Sequence, residues 1–131
     1  MDNLISPSRR LLFVDDEDGI RATFPLILQG HGFDVKSAAS VQEALHKIQS
    51  QTFDILLSDL NIVEPRDGYA VVRAMRQANP RCIAIILTGY PDLDSAVEGI
   101  RHEIDDYFVK PADIDSLVAA MEGKLAQRYK A

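Results

Sequence analysis

Apolar residues along this chain alternate between short strand-like segments and longer stretches with helical spacing. Five short segments carry runs or alternations of apolar side chains, at residues 11–14, 33–37, 53–57, 83–87 and 106–109. These are typical of strands. Between and after them apolar side chains recur every three or four residues. Helices are therefore predicted after residue 18 to about residue 29, and over residues 40–50, 69–78, 93–101 and 114–125.

Capping residues mark several of the helix boundaries. Ser40 and Glu43 form a capping box, which predicts the start of the second helix. Asp92 is a predicted N-cap of the fourth helix. Gly30 is expected to follow the end of the first helix, and Pro25 within that helix should bend it.

Strict alternation of five strands and five helices predicts an α/β fold with one parallel sheet. Right-handed crossovers then place helices on both faces of the sheet, which makes it doubly wound. The length of 131 residues suits a single domain. We assign that domain to residues 10–131 and expect residues 1–9 to form a flexible N-terminal segment.

Composition narrows the class of protein. The chain has 14 basic and 20 acidic side chains, a net charge of −6, which argues against direct nucleic-acid binding. Its longest apolar run, residues 82–87, is too short to cross a membrane. The single cysteine, Cys82, excludes an internal disulfide bond and fits a cytoplasmic protein.

Polar residues follow four of the five predicted strands. Asp15 and Asp16 follow the first strand, and Asp59, Thr88 and Lys110 follow the third, fourth and fifth. Each alone is common at a turn or a helix start. Parallel strands, however, bring all five side chains to one edge of the sheet.

Three carboxylates at that edge would repel one another, by about 4 kcal/mol for two unit charges 4 Å apart at an effective dielectric of 20. A bound cation would relieve this repulsion. Oxygen ligands without histidine or cysteine favour Mg2+. With the charge of Lys110, the hydroxyl of Thr88 and an aspartate as acceptor, the set is suited to phosphoryl transfer.

Four ordered motifs resemble the receiver domain of two-component response regulators, from about Arg10 to Arg128. They are LFVDDE at 12–17, LLSDLN at 56–61, ILTGY at 86–90 and DYFVKP at 106–111. The resemblance implies a flavodoxin-like (βα)5 fold with strand order 2-1-3-4-5.

The resemblance also implies a role for each site residue. Asp59 would accept a phosphoryl group from a phosphohistidine. Asp16 and Asp59 would bind Mg2+ directly, with Mn2+ as a substitute ion. Asp15 would act through a bound water, and the Asn61 backbone carbonyl would complete the set. Lys110 would pair with phosphorylated Asp59.

The implied switch and partners follow from the same resemblance. Thr88 and Tyr107 would form the switch pair, and Pro111 would follow a cis peptide bond. Asn61 and Tyr90 would flank the route of the hydrolytic water.

The partners would be a histidine kinase or histidine phosphotransfer protein, and an effector bound by the fourth helix, fifth strand and fifth helix. A homodimer that forms on phosphorylation is a further expected partner. Self-catalysed phosphorylation and slow autodephosphorylation would be its only chemistry.

Three segments depart from the family pattern. The loop at 62–66 is one residue longer than usual, Ala112 stands where relatives often have an aromatic residue, and Glu103 and Ile104 replace a common Gly-Ala pair.

Two other functions stay open, a receiver-like interaction module without phosphate control and an aspartate-nucleophile phosphatase. The three histidines are expected at the surface, whereas Cys82, Met75 and Met121 are expected to pack inside.

Overall fold

The computed structural model describes residues 9–128. Residues 1–8, most of the predicted flexible segment, lie outside the described residues, as do residues 129–131. The elements in chain order are β1 (Arg10–Val14), α1 (Asp18–Gly30), β2 (Asp34–Ala38), α2 (Val41–Ser50), β3 (Ile55–Asp59), α3 (Asp67–Ala78), β4 (Ile83–Thr88), α4 (Leu93–Arg101), β5 (Asp106–Val109) and α5 (Ile114–Arg128).

All five strands pair in parallel, in the order β2-β1-β3-β4-β5. The strand order and the α/β fold class are therefore confirmed. At the carboxyl ends, Val14 lies opposite Ser58, and Thr88 lies opposite Val109. This register brings the residues that end or follow the inner strands to one edge of the sheet.

Side chains alternate between the two faces of the sheet and form one apolar cluster on each. Leu12 and Leu56 lie in the cluster that includes the buried residues of α2 and α3. Phe13 and Leu57 lie in the cluster that includes α1 and α5. The sheet is thus covered on both sides, as doubly wound sheets require.

Most element boundaries agree with the sequence pattern to within one residue. The exceptions are the bounds of β3, the start of α3, and the end of α5, which lies at Arg128 rather than at the predicted residue 125. The predicted start of α3 at Tyr69 was wrong, because the helix begins at Asp67. The Asp67 carboxylate accepts a hydrogen bond from the Glu64 backbone amide at 2.9 Å, which fixes the start of the helix at Asp67. The third strand begins at Ile55, two residues later than predicted, and includes Asp59. The capping box is present: the Ser40 hydroxyl accepts from the Glu43 amide at 3.1 Å.

Packing confirms the assignment of the inner residues. Cys82, Met75 and Met121 are buried, while His31 and His46 are exposed. The remaining histidine, His102, is half-buried and stacks on the Tyr69 ring with centroids 4.7 Å apart, a contact that the sequence pattern did not predict.

The structure also gives a physical account of two of the unusual segments. Glu103 adopts a left-handed conformation with φ 57° at the end of α4, and Ile104 packs so closely on Gly99 that a Cβ there would lie 2.7 Å from Ile104 Cδ1. Beside the small side chain of Ala112 lies a largely apolar cleft of about 460 Å3, lined in part by Phe13 and Phe24.

The Lys110–Pro111 peptide bond is cis, as the resemblance implied. Within residues 9–128, no helix combines the length and the apolar character needed to span a membrane.

Candidate functional site

Three carboxylates meet at the carboxyl edge of the sheet. Asp15 directly follows β1, and its amide donates to the Ala38 carbonyl at 3.1 Å. Asp59 is the last residue of β3. One carboxylate oxygen each from Asp15, Asp16 and Asp59 lies within 4.8 Å of the others. Asp15 and Asp59 are buried and Asp16 is exposed, so the cluster opens to solvent on one side.

Lys110 links two of these carboxylates. Its Nζ lies 2.9 Å from Asp15 Oδ2 and 3.4 Å from Asp59 Oδ2. The backbone amide of Lys110 donates to the Thr88 carbonyl at 2.8 Å, which fixes the residue beside β4. Asp15 accepts a further hydrogen bond from the Glu17 amide at 2.9 Å. One lysine thus contacts two of the three carboxylates of the cluster, and the site keeps an excess of negative charge.

The electrostatic balance differs between the acceptor and the lysine. Burial raises the pKa of Asp59 to about 6; the charge of Lys110 opposes this shift and the charge of Asp15 adds to it. Burial by itself would lower the pKa of Lys110. Its hydrogen bond to Asp15 and the charges of Asp59 and Asp15 outweigh burial, so that the pKa of Lys110 is raised.

The donor set fits a hard divalent cation. It consists of carboxylate oxygens close enough to share one ion, and such oxygen donors suit Mg2+. The uncompensated negative charge would favour a bound cation here, because close carboxylates repel one another.

An open cleft of about 390 Å3 lies in front of Asp59. Its lining is formed by Asp16, Glu17, Asp59, Asn61, Gly89, Tyr90 and Lys110. The backbone amide of Asn61 also donates a hydrogen bond to the Asp59 carboxylate. The Asp59 carboxylate can thus be approached from solvent between the two flanking loops.

Thr88 and Tyr107, the expected switch pair, lie on neighbouring strands. Thr88 is buried at the end of β4, and its Oγ1 accepts from the Tyr90 amide at 3.1 Å. Tyr107 on β5 is half-buried, and its hydroxyl lies 2.8 Å from Ser95 Oγ on α4. The Tyr107 hydroxyl therefore contacts α4.

The β3–α3 loop, the segment with an unusual length, is tied to both neighbours. The Asn61 side chain accepts from the Arg66 amide at 2.8 Å. Arg66 has a left-handed backbone with φ 66°, and its guanidinium contacts Glu98 of α4 at 3.0 Å. Gly68 lies against the acceptor strand, since a Cβ there would lie 2.4 Å from the Asp59 carbonyl.

Sequence reasoning missed Ser95 and Tyr69. Ser95 is a buried residue on the inner face of α4. Its backbone carbonyl accepts a hydrogen bond from the Tyr69 hydroxyl, and its Oγ lies 2.8 Å from the Tyr107 hydroxyl. The only signal in the sequence was a polar residue at a position of α4 that should face the sheet. That signal is weak, because small serines are common in such positions.

Several known proteins are similar to this chain in sequence. The family model described as "Response regulator receiver domain" matches residues 11–122. The chain is 34% identical to the transcriptional regulatory protein ZraR of Escherichia coli (strain K12) over 119 residues, which are 91% of the chain and 27% of ZraR. It is 37% identical to the DNA-binding transcriptional regulator NtrC of the same strain over 109 residues, or 83% of the chain and 23% of NtrC.

Solved structures agree with these relatives. The CheY-like receiver domain protein from Methanospirillum hungatei JF-1 superposes with a TM-score of 0.87 and 28% identity, and the match covers 94% of this chain and 98% of that one. The beryllofluoride-activated NtrC4 receiver domain dimer gives a TM-score of 0.80 at 25% identity, covering 92% and 97%.

The chain spans about a quarter of the length of the curated relatives that it matches. The family model nevertheless covers most of the chain, and the strand order and the edge cluster agree with it. The chain belongs to the response regulator receiver domain family, whose members act in two-component signalling.

Proposed function

We propose that this chain accepts a phosphoryl group on Asp59 from the phosphohistidine of a histidine kinase or histidine phosphotransfer protein. The observation that carries the proposal is the placement of the Asp59 carboxylate. It lies at the base of an open cleft, within 4.8 Å of two other carboxylates and 3.4 Å from Lys110 Nζ.

The transfer forms one bond and breaks another. A carboxylate oxygen of Asp59 bonds to phosphorus as the bond from phosphorus to the histidine nitrogen breaks, and that nitrogen keeps the electron pair. Lys110 and the Asn61 amide hold the Asp59 carboxylate in place for this attack. Positioning and charge neutralisation supply most of the catalysis in such reactions.

Asp15, Asp16 and Asp59, with the Asn61 backbone carbonyl, would hold Mg2+. When bound, the ion would neutralise charge on the carboxylates and on the incoming phosphoryl oxygens. Mn2+ prefers the same oxygen ligands and would substitute. Lys110 already bridges Asp15 and Asp59, and it would remain beside the phosphorylated Asp59 as a positive charge.

The output of the proposed switch is the surface around α4. Thr88 would release the Tyr90 amide as its hydroxyl turns to the phosphoryl group, and Tyr107 would respond at Ser95. The exposed apolar side chains of this surface are suited to binding an effector or a second copy of the chain; they are Leu93, Val97, Ile100 and Val109. A dimer of the beryllofluoride-activated NtrC4 receiver is a precedent for the second case.

This function calls for a cytoplasmic location, where histidine kinases present their phosphohistidine. It also makes the chain a phosphoprotein rather than an enzyme with a separate substrate; self-phosphorylation and slow autodephosphorylation are the proposed chemistry. The competing interaction module would keep the α4 surface but would not respond to phosphate.

Acetyl phosphate, a small phosphoryl donor, tests the proposal. With Mg2+ present, intact-mass spectrometry should detect one added phosphoryl group, and a chelator should suppress it. Asp59→Asn should abolish the added mass because the acceptor oxygen is lost. The matched control is Asp18→Asn, which changes an exposed carboxylate on α1 outside the cluster and should keep full labelling.

Two results would contradict the proposal. Labelling that persists in Asp59→Asn would place the acceptor elsewhere. No labelling of the wild-type chain by acetyl phosphate, together with no response to beryllofluoride, would favour the interaction module.

A further inference from the structure

Two tyrosine hydroxyls converge on one residue of α4. The Tyr69 hydroxyl donates to the Ser95 backbone carbonyl at 2.5 Å. The Tyr107 hydroxyl lies 2.8 Å from Ser95 Oγ. Tyr107 already has a role in the proposed switch, whereas Tyr69 comes from α3 and has none.

Tyr69 has a fixed position relative to the acceptor strand. The preceding Gly68 donates from its amide to the Leu60 carbonyl at 2.8 Å, and there is no room for a Cβ between Gly68 and the Asp59 carbonyl. The Tyr69 side chain is buried and stacks on His102. Burial raises the pKa of Tyr69 to about 12, so its hydroxyl remains a donor.

Among the residues that the structure describes, few other contacts hold α4 against the body of the protein. They include the Glu98–Arg66 ion pair at 3.0 Å and the Ser95–Tyr107 hydroxyl contact at 2.8 Å. The buried residues of α4 are Ser95 and Gly99, which bury little apolar area, and its large apolar residues Leu93 and Ile100 are exposed. Apolar burial is the main force that fixes most helices, and here it is small. A buried hydrogen bond therefore contributes a large share of what keeps α4 in place.

Ser95 is also connected to the Thr88 end of the site. The loop after Thr88 begins with the Tyr90 amide bonded to Thr88 Oγ1. It ends at Asp92, which accepts from the Ser95 amide at 2.7 Å and from Ser95 Oγ at 3.1 Å. A displacement that begins at Thr88 would therefore reach Ser95, where the Tyr69 hydroxyl would oppose it.

We infer that Tyr69 is a positioning residue that holds α4 in its resting place, so that its bond to Ser95 sets how readily phosphorylation moves the helix. The inference rests on the proposed function of Asp59. A hydrogen bond made only in the resting arrangement lowers the affinity for the activating ligand, because binding of that ligand must break the bond. Its removal should favour the activated arrangement.

Beryllofluoride with Mg2+, a stable mimic of the phosphoryl group, provides the test. Tyr69→Phe deletes the hydroxyl but retains the ring and its stacking. It should bind beryllofluoride about fivefold more tightly, the ratio expected for loss of one net hydrogen bond. In the free variant, the α4 amide resonances should move toward their positions in the beryllofluoride-bound wild type.

Val72→Ala is the matched control. It removes the buried γ-methyl groups of a residue on the same helix, α3, without removing a hydrogen bond. It should lower the free energy of unfolding yet leave beryllofluoride affinity within twofold of wild type. Equal affinity in Tyr69→Phe and wild type, with unmoved α4 resonances, would overturn the inference.

The wild-type chain gives a second test that needs no variant. The Tyr69 ring resonances should shift when beryllofluoride binds, and unchanged resonances would contradict the inference. A wild-type chain that binds no beryllofluoride would instead reject the proposed function. In that case the comparison is between the free proteins: α4 amide resonances that differ between Tyr69→Phe and wild type would support the role of Tyr69 in placing α4, and identical resonances would overturn it.

Discussion

Asp59 is a carboxylate that folding holds in an unfavourable environment. Its pKa of about 6 in the folded chain exceeds the ordinary value of 3.8, so between these pH values the folded state binds more protons than the unfolded state. The free energy of unfolding must then fall as pH rises through this window, and it stays lower above it. The shift of about two pKa units corresponds to about 3 kcal/mol.

Asp59→Asn removes this ionisation. In metal-free buffer the variant should be more stable than wild type at about pH 7, by up to about 3 kcal/mol. The gain should shrink toward about pH 4, where wild-type Asp59 is protonated. Urea unfolding at both pH values measures the difference. A gain that is equal at the two pH values would contradict the argument, and Asp18→Asn provides the exposed-carboxylate control.

At the scale of single residues, the sequence identified the groups that stand at strand ends and missed those that act across space. Asp15, Asp59 and Lys110 could be predicted because parallel strands bring their ends to one edge. The partners of Lys110 could not be ranked, since only coordinates show it closer to Asp15 than to Asp59. Tyr69 was unrecognisable because its hydroxyl partner lies on another helix.

At the scale of elements, α3 and β3 approach each other so closely that one position requires glycine. A Cβ at Gly68 would lie 2.4 Å from the Asp59 carbonyl and 3.0 Å from Leu60 Cα. Both neighbours are backbone atoms and cannot rotate away. Gly68→Ala should therefore lower the free energy of unfolding by about 3 kcal/mol, and should also slow labelling by acetyl phosphate, because β3 must shift.

Gly123→Ala is the control for that substitution. Gly123 lies within α5 and has no atom near the added methyl group. The change should stabilise the chain by about 0.5–1 kcal/mol through helix propensity. Thermal unfolding of both variants tests the pair, and a stable Gly68→Ala variant would show that the two elements can separate without cost.

The elements themselves were predictable to the extent that their boundaries depend on local chemistry. The capping residues Ser40 and Asp92 marked the starts of α2 and α4, and both side chains accept the expected amides. The start of α3 was not predictable in the same way. It depends on the folded β3–α3 loop. There the side chains of Asp67 and Asn61 accept hydrogen bonds from backbone amides of the loop.

At the scale of the whole molecule, the edge of the sheet opposite the acceptor site is held by a charged cluster around Asp105. Its carboxylate contacts Arg128 Nη2 of α5 at 2.7 Å and Arg76 Nη2 of α3 at 2.9 Å. It also accepts from the Ala84 amide of β4 at 2.8 Å. One mostly buried carboxylate therefore joins elements from both faces of the sheet.

Asp105→Asn should leave two arginines without their counter-charge. Removing one partner from a buried ion pair costs about 3–5 kcal/mol, and we expect the lower end because the arginines are partly exposed. Asp106→Asn is the matched control at the next residue, where the carboxylate lies 3.9 Å from Lys124 and is more exposed; its cost should stay below about 0.5 kcal/mol. Urea unfolding measures both. At urea concentrations too low to unfold it, the Asp105→Asn variant should still be labelled at Asp59 at the wild-type rate. The reason is that the Asp105 cluster and the acceptor lie at opposite edges of the sheet. Slow labelling in the folded variant would instead show that the two edges are coupled through the sheet.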